Sequence, residues 1–178
     1  MRKWIILTVF MSTMTFCDEG KPLNEFGINF GWGHSFGNSI EYDRLIAGNQ
    51  SLNGGIGFSF GGLKYGIGYK YIFNEESKFN PYFGTNISSA NGLSEVTVNV
   101  NADSSKYKVN SGIAVTPRGG FRYQAGFANL YVNVGYGIVL SGGGVEYISG
   151  STKESVADFA KVLGIAGLEV SGSMLFRF

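Results

Sequence analysis

FGINFGWGHSF (26–36) decides the fold, because Phe26, Ile28, Phe30, Trp32 and Phe36 occupy even positions while Gly27, Asn29, Gly31, Gly33 and Ser35 occupy odd ones. Side chains of an extended strand alternate between its two faces, so a period of two describes a strand with one large apolar face and one small or polar face. Working outward, the same division recurs at 52–60, where Leu52, Ile56, Phe58 and Phe60 oppose Asn53, Gly55, Gly57 and Ser59. At 63–73, Leu63, Tyr65, Ile67, Tyr69, Tyr71 and Phe73 oppose Lys64, Gly66, Gly68 and Lys70. Further on, Leu130, Val132, Val134, Tyr136, Ile138 and Leu140 share one parity, and Leu168, Val170, Met174, Phe176 and Phe178 stand opposite Glu169, Ser171, Ser173 and Arg177.

A soluble sheet alternates too, so the content of the two faces has to identify the solvent. Here the second face is mainly Gly, Ser and Asn rather than the Lys, Glu and Thr of a water-exposed sheet. Such a face is confined. A closed barrel of about eight strands has an interior just wide enough for side chains, with large apolar residues turned to lipid. We therefore expect an all-β fold, a closed antiparallel transmembrane β-barrel of about eight strands. Composition agrees: charged residues are 15% of the 178, against roughly 25% in soluble domains. Aromatic residues are also 15%, Gly accounts for 28 positions and the net charge is +1. That combination excludes disorder, collagen and an electrostatic footprint for nucleic acid.

Strands are expected near 26–36, 38–47, 51–60, 63–73, 79–100, 106–123, 129–141 and 166–178. Each reaches the ~9–11 residues needed to cross a bilayer obliquely. The connections GHSFGNS (33–39), FGGL (60–63), NADSSK (101–106) and 142–165 then lie outside the cell. AGNQ (47–50), NEESKFN (74–80) and QAGFA (124–128) are periplasmic turns. Within 79–100 the parity changes: Phe79, Phe83 and Ile87 are odd, but Val96, Val98 and Val100 are even. A bulge or a loop at Gly92 must shift the phase, giving a long hairpin that projects above the membrane. In 152–163, Val156, Phe159, Ala160 and Leu163 have helical spacing, with Ser151 and Glu154 as a capping box and Gly164 as a stop. A short helix is expected in the last extracellular loop, packed over the barrel mouth, with a partner or lipid as the alternative contact.

The start MRKWIILTVFMSTMTFC (1–17) reads as a secretory signal peptide: Arg2 and Lys3 precede the apolar Trp4–Phe10, and Thr15–Cys17 closes with a small-x-small pattern. Cleavage after Cys17 leaves 18–178 as the barrel. The sole cysteine then disappears, and with it any disulfide framework. The alternative, a lipidated Cys17, is disfavoured by the bulky Phe16.

GLEVSGSMLFRF (167–178), with Phe178 last and Leu168, Val170, Met174 and Phe176 alternating behind it, resembles the C-terminal assembly signal of bacterial outer-membrane barrels. NSIEYDRLI (38–46) and PRGGFRY (117–123) add weaker likeness, and the whole is similar to small eight-stranded barrels of the OmpA/OmpX type. The resemblance implies residence in the bacterial outer membrane, with outer-membrane lipid and the barrel-assembly machinery as partners. The chain departs from that pattern in the 142–165 insertion and in having no C-terminal peptidoglycan-binding domain, so tethering through such a domain is not expected.

Strand parity points Glu41, Asp43, Lys70, Arg118, Arg122, Glu169 and Arg177 into the lumen. Lone charges there are very costly, so these groups are expected to pair across strands as a charge plug, the alternative being an ion or proton path. His34, the single histidine, shares the parity of the lipid-facing residues and is expected in an interfacial aromatic belt. Trp32, Tyr71, Tyr82, Tyr123 and Tyr147 are further candidates for the interfacial girdles. No serine–base–acid spacing accompanies His34, no cluster of His, Cys and acidic residues supports a metal, and the GGG run at 142–144 lacks a nucleotide-binding context. No cofactor is expected. The reading is a non-catalytic outer-membrane protein with a structural or surface-interaction, adhesion-like role and an unnamed extracellular ligand. Its rivals are passage of small hydrophobic solutes and a lipid-modifying enzyme built on His34.

Overall fold

The computed structural model describes residues 24–74, 76–100, 103–150 and 167–178. The leader at 1–17 and the helix expected over 152–163 lie outside the described residues. Among them the chain forms β1 (Asn24–Trp32), β2 (Asn38–Ala47), β3 (Gln50–Ser59), β4 (Gly62–Ile72), β5 (Phe79–Ala90) and β6 (Leu93–Val100). There follow β7 (Asp103–Val109), β8 (Gly112–Gln124), β9 (Ala128–Gly142), β10 (Val145–Gly150) and β11 (Gly167–Arg177).

Eight of these strands close an antiparallel barrel in the order β1-β11-β9-β8-β5-β4-β3-β2. The seam is the β1–β11 ladder, running from Glu25↔Arg177 to Trp32↔Val170. It is locked at one end by two backbone bonds: Asn24 N–H donates to Phe178 O at 3.2 Å and Phe178 N–H to Asn24 O at 2.9 Å. Both ends of the described chain therefore lie at this terminal end, and the longer excursions leave from the opposite, distal end.

Alternation along each strand sorts the side chains, and the sorting is inverted relative to a water-soluble protein. Ile67 is 70% exposed and Phe58 68%, whereas Asn29, Asn80, Asn129 and Glu169 are wholly enclosed. The apolar residues of β11, Leu168, Val170, Met174 and Phe176, stand on the outer surface with the terminal Phe178. Inside, Ile72, Tyr82, Tyr131 and Leu175 form a buried apolar cluster. The expected girdle position of Tyr82 is thus corrected: it shares parity with the buried Asn80 and Asn86 and lies in the lumen, its ring edge-on to Tyr131 at 5.7 Å.

The expected strands 79–100 and 106–123 are each two strands. β5 leaves the barrel after Ala90, and the chain turns at Gly92, where φ is +75° and a Cβ would lie 2.4 Å from Val109 O, so only glycine fits. Beyond that turn β6 and β7 continue as a separate three-stranded sheet with β10, in the order β10-β7-β6. The phase change follows from leaving the barrel. In β5 the face was set by the lumen; beyond it, Val98 and Val145 pack on the buried Tyr107 instead. The stretch expected to be loop at 145–150 is strand because it completes this small sheet against β7.

β10 is held partly by charge. Glu146 accepts from Asn110 Nδ2 at 2.6 Å and from Lys108 Nζ at 3.4 Å, and these donors, Asn110 first, hold its carboxyl below the usual carboxylate range. A carboxyl depressed in the folded state adds stability above its unfolded pKa, and that contribution fades as pH falls through the folded value. Lowering pH from neutral to below about 4 is therefore expected to loosen β10 from β7. Hydrogen exchange corrected for intrinsic rate checks this: protection at Tyr147 should fall while protection at Val132 of the barrel holds, and Glu146→Gln should abolish the difference.

Candidate functional site

The lumen is the part of the molecule where chemistry-bearing residues converge, because every second residue of eight strands is aimed at one narrow axis. At mid-height, Glu41 and Asp43 are two apart on β2 and so share its inner face. Lys70 of β4 reaches both, its Nζ donating to Glu41 Oε1 at 2.8 Å and Asp43 Oδ2 at 2.6 Å. Asn29 Nδ2 and Asn53 Nδ2 donate to the two oxygens of Glu41 at 2.6 and 2.9 Å. All five side chains are buried. The Lys70 ammonium also lies 4.6 Å from the centre of the Tyr131 ring, a cation–π contact.

Arg118 of β8 links this layer to the distal one. Its guanidinium lies 3.9 Å from Glu41 Oε1 and 3.6 Å from Glu169 Oε1. Glu169 of β11 in turn accepts from Ser35 Oγ and Ser171 Oγ, each at 3.0 Å. Towards the terminal end, Glu25 takes the Tyr131 hydroxyl at 2.8 Å and the Asn129 amide at 2.5 Å, while Arg122 Nε donates to Asn80 Oδ1 at 3.1 Å.

Of the seven charged residues expected in the lumen, five form one contiguous set: Glu41, Asp43, Lys70, Arg118 and Glu169. Arg122 is buried, its Nε donating to Asn80 Oδ1, with no carboxylate within ion-pair distance among the described residues. Arg177 stands apart, half-buried at the terminal rim with Nη1 3.5 Å from both Gln124 Oε1 and Gly126 O. Glu25 and Lys64 were not singled out from the sequence. Their parity carried the signal, since Glu25 matches Gly27 and Asn29 on β1, and Lys64 matches Lys70 on β4.

His34 is corrected. It does not face outward in an aromatic belt but is 1% exposed inside the distal lumen. Its Nδ1 accepts from the Phe36 N–H at 3.2 Å, and its Nε2 lies 3.3 Å from Arg118 Nη1 and 3.8 Å from Glu169 Oε1. Phe36 is corrected with it. The segment 33–37 turns inward, closed by a Gly37 N–H to His34 O bond of 2.8 Å, and carries the Phe36 ring into the lumen, wholly buried. The ring fits because Gly55 and Gly66 leave space: a Cβ on either would sit 2.4 or 3.0 Å from it. Chemically, the arrangement is a set of charged and hydrogen-bonded groups with the buried Phe36 ring on its distal side and the apolar cluster of Ile72, Tyr82, Tyr131 and Leu175 among its terminal members. The Ser35 hydroxyl is directed to Glu169, not to the imidazole. No protein-family description, curated protein or solved structure matches the chain.

Removing one partner from a buried charge set leaves the others uncompensated, a cost of about 3–5 kcal/mol. Lys70→Met is expected to destabilise by that amount in a urea titration of the folded protein. Adding Glu41→Gln and Asp43→Asn to Lys70→Met removes the stranded charges and should recover most of the loss.

Proposed function

We propose that the chain is a bacterial outer-membrane β-barrel with a charge-closed lumen and a non-catalytic role, structural in the envelope and interactive at its distal surface. The observation that carries this reading is the inverted burial: aromatic and aliphatic side chains cover the outside of a closed ring whose inside is polar. Fully burying one such side chain is worth about 1.5–3 kcal/mol, so a continuous apolar belt in water would be heavily penalised. Hydrocarbon around the belt removes the penalty, and closure gives every barrel strand a neighbour on both sides, the ladder being incomplete only where Phe30–Trp32 of β1 pass the end of their pairing with β2. Each barrel strand is long enough to cross, β1 being the shortest with 9 residues and β9 the longest with 15.

The likeness of 167–178 to the assembly signal of outer-membrane barrels supports placement by the assembly machinery. The outward row Leu168, Val170, Met174, Phe176 and Phe178 gives that signal a physical form. The β6–β7–β10 sheet supports the interactive part of the role, since it stands outside the ring and carries the exposed ion pairs Lys106–Glu95 and Lys108–Glu146. The lumen crossed by these charged and hydrogen-bonded groups favours this reading over solute passage, and the engagement of His34 with Arg118 and Glu169 favours it over lipid modification.

Four measurements test the proposal. The folded protein should resist SDS until boiled and then change its gel mobility, and it should enter liposomes of bacterial lipid. In planar bilayers it should give no large steady conductance. On intact bacteria expressing the chain, added protease should cut within 93–109 or 145–150 and leave the barrel whole. A freely soluble, detergent-independent monomer would overturn the membrane reading, and a reproducible open pore would overturn the closed lumen.

A further inference from the structure

The small sheet is bounded by β6 on one side and β10 on the other, and among the described residues no strand pairs with either outer edge. The two edges differ. β10 has 6 residues, shifts register between Tyr147 and Ser149, and ends at Gly150 with φ +119°, features that blunt an edge against further pairing. β6 has 8 residues, LSEVTVNV, without proline, glycine or lysine, and from Val96 to Val100 it keeps unbroken register with β7. Its two faces are distinct. Val98 packs on the buried Tyr107 and Val96, opposite Tyr107, is half-buried. Glu95, Thr97 and Asn99 are exposed on the other face, where Glu95 Oε1 accepts from Lys106 Nζ at 2.8 Å.

We propose that the β6 edge pairs antiparallel with the β6 edge of a second copy of this chain, about a two-fold axis through Thr97. The sequence is self-complementary in that register. Thr97 stands opposite its own equivalent, a favoured cross-strand pair, and on either side of the axis Glu95 stands opposite Asn99 and Val96 opposite Val98. A carboxylate has several acceptor sites, so Glu95 keeps its bond to Lys106 and takes the Asn99 amide as well. No like charges meet in these pairs. On the other face, the cluster of Tyr107, Val98 and Val145 joins its twin through Val96, which extends the apolar contact across the axis. The direction of β6 places the second copy. Asn91, just before β6, donates its N–H to Leu63 O of the ring, and the far end of the strand is the hairpin tip at Val100↔Asp103. β6 therefore runs away from its own ring, and an antiparallel partner has its ring beyond the tip. The two barrels then face each other from opposed membranes, and the contact is a bridge between two surfaces. One strand pair of this length falls below the ~1,200 Å² of a standard interface, so a single contact is weak, and many copies on each surface supply the avidity.

The inference deepens the interactive role proposed above by naming its partner, and the bridge rests on the membrane reading. Two experiments test it. In detergent, the full chain carrying Thr97→Cys should form a disulfide-linked dimer under mild oxidation. It should do so at least about tenfold faster than Ser104→Cys, one strand in from the edge, because only directly opposed residues come within the ~4.4–6.8 Å between Cα atoms that a disulfide spans. The chain without either substitution is the blank. In the second experiment, two differently labelled populations of liposomes made from bacterial lipid each carry the protein, and their clustering is followed by fluorescence cross-correlation. Thr97→Lys in both populations should reduce clustering about fivefold, as should Thr97→Glu in both, since like charges then oppose each other across the axis. Liposomes with Thr97→Lys mixed with liposomes with Thr97→Glu should cluster again. Equal rates for the two cysteine variants, clustering indifferent to these charges, or no recovery in the mixture would overturn the pairing. A dimer in detergent with no clustering of liposomes would overturn the facing arrangement. Heat-dependent gel mobility of every variant reports separately on the barrel, so failure of the pairing and failure of the membrane reading are distinguishable.

Discussion

Closure of the β1–β11 seam is the constraint on which the rest of the structure depends. Once the ring is shut, each inward position shares a cross-section with only a few others, and its occupant must be small or must find a partner on another strand. The partners are far apart in sequence: Glu25 of β1 meets Tyr131 and Asn129 of β9, and Arg118 of β8 meets Glu169 of β11 and Glu41 of β2. None of these contacts exists in an open sheet. The paired Asn24 and Phe178 backbone groups finish the ladder at the terminal end of the ring.

Parity was a reliable guide wherever a strand remained in the ring. Glu41 and Asp43 lie two apart on a strand paired on both sides, which gives their side chains no freedom to change face. Lys70, Arg118 and Glu169 follow the same rule, and all eight barrel strands were visible in outline from alternation. The rule failed where its premise failed. His34 and Phe36 lie past the end of β1, where Gly33 takes φ +67° and the chain turns inward, so counting by twos no longer reports a face. At Tyr82 two signals conflict: its parity with Asn80 and Asn86 points inward, whereas the preference of aromatic residues for membrane interfaces points outward, and the lumen wins. The β6–β7–β10 sheet was only partly legible, because its faces are set by Tyr107 and its neighbours, not by the lumen.

The inward turn after β1 connects two features that look unrelated. Because β1 stops pairing with β2 at Asn29↔Ser39, the segment 33–37 is free to fold into the barrel, where Phe36 occupies the room left by Gly55 and Gly66. The same early ending parts the wall between Trp32 and Phe58. The buried Phe36 ring and the gap in the wall thus lie at the same end of the ring, and His34 and Lys64 border a cavity there.

A polar lumen also answers a problem peculiar to a barrel with hydrocarbon outside. In water, the apolar face of a sheet is driven inward; in lipid that drive is absent, and an apolar interior would make the two faces of every strand nearly equivalent. A one-residue slip exchanges the faces. On the proposed membrane reading, with Glu41, Asp43, Lys70, Arg118 and Glu169 on inner positions, such a slip would place unpaired charge in hydrocarbon, which costs about 2–4 kcal/mol for a single Lys or Arg at the bilayer midplane. Buried ion pairs often add little net stability over apolar residues of equal size. Their contribution here is to make the alternatives worse, so that Lys70 between Glu41 and Asp43 fixes which face of β2 and β4 is inside, and neighbouring strands inherit that choice through their register.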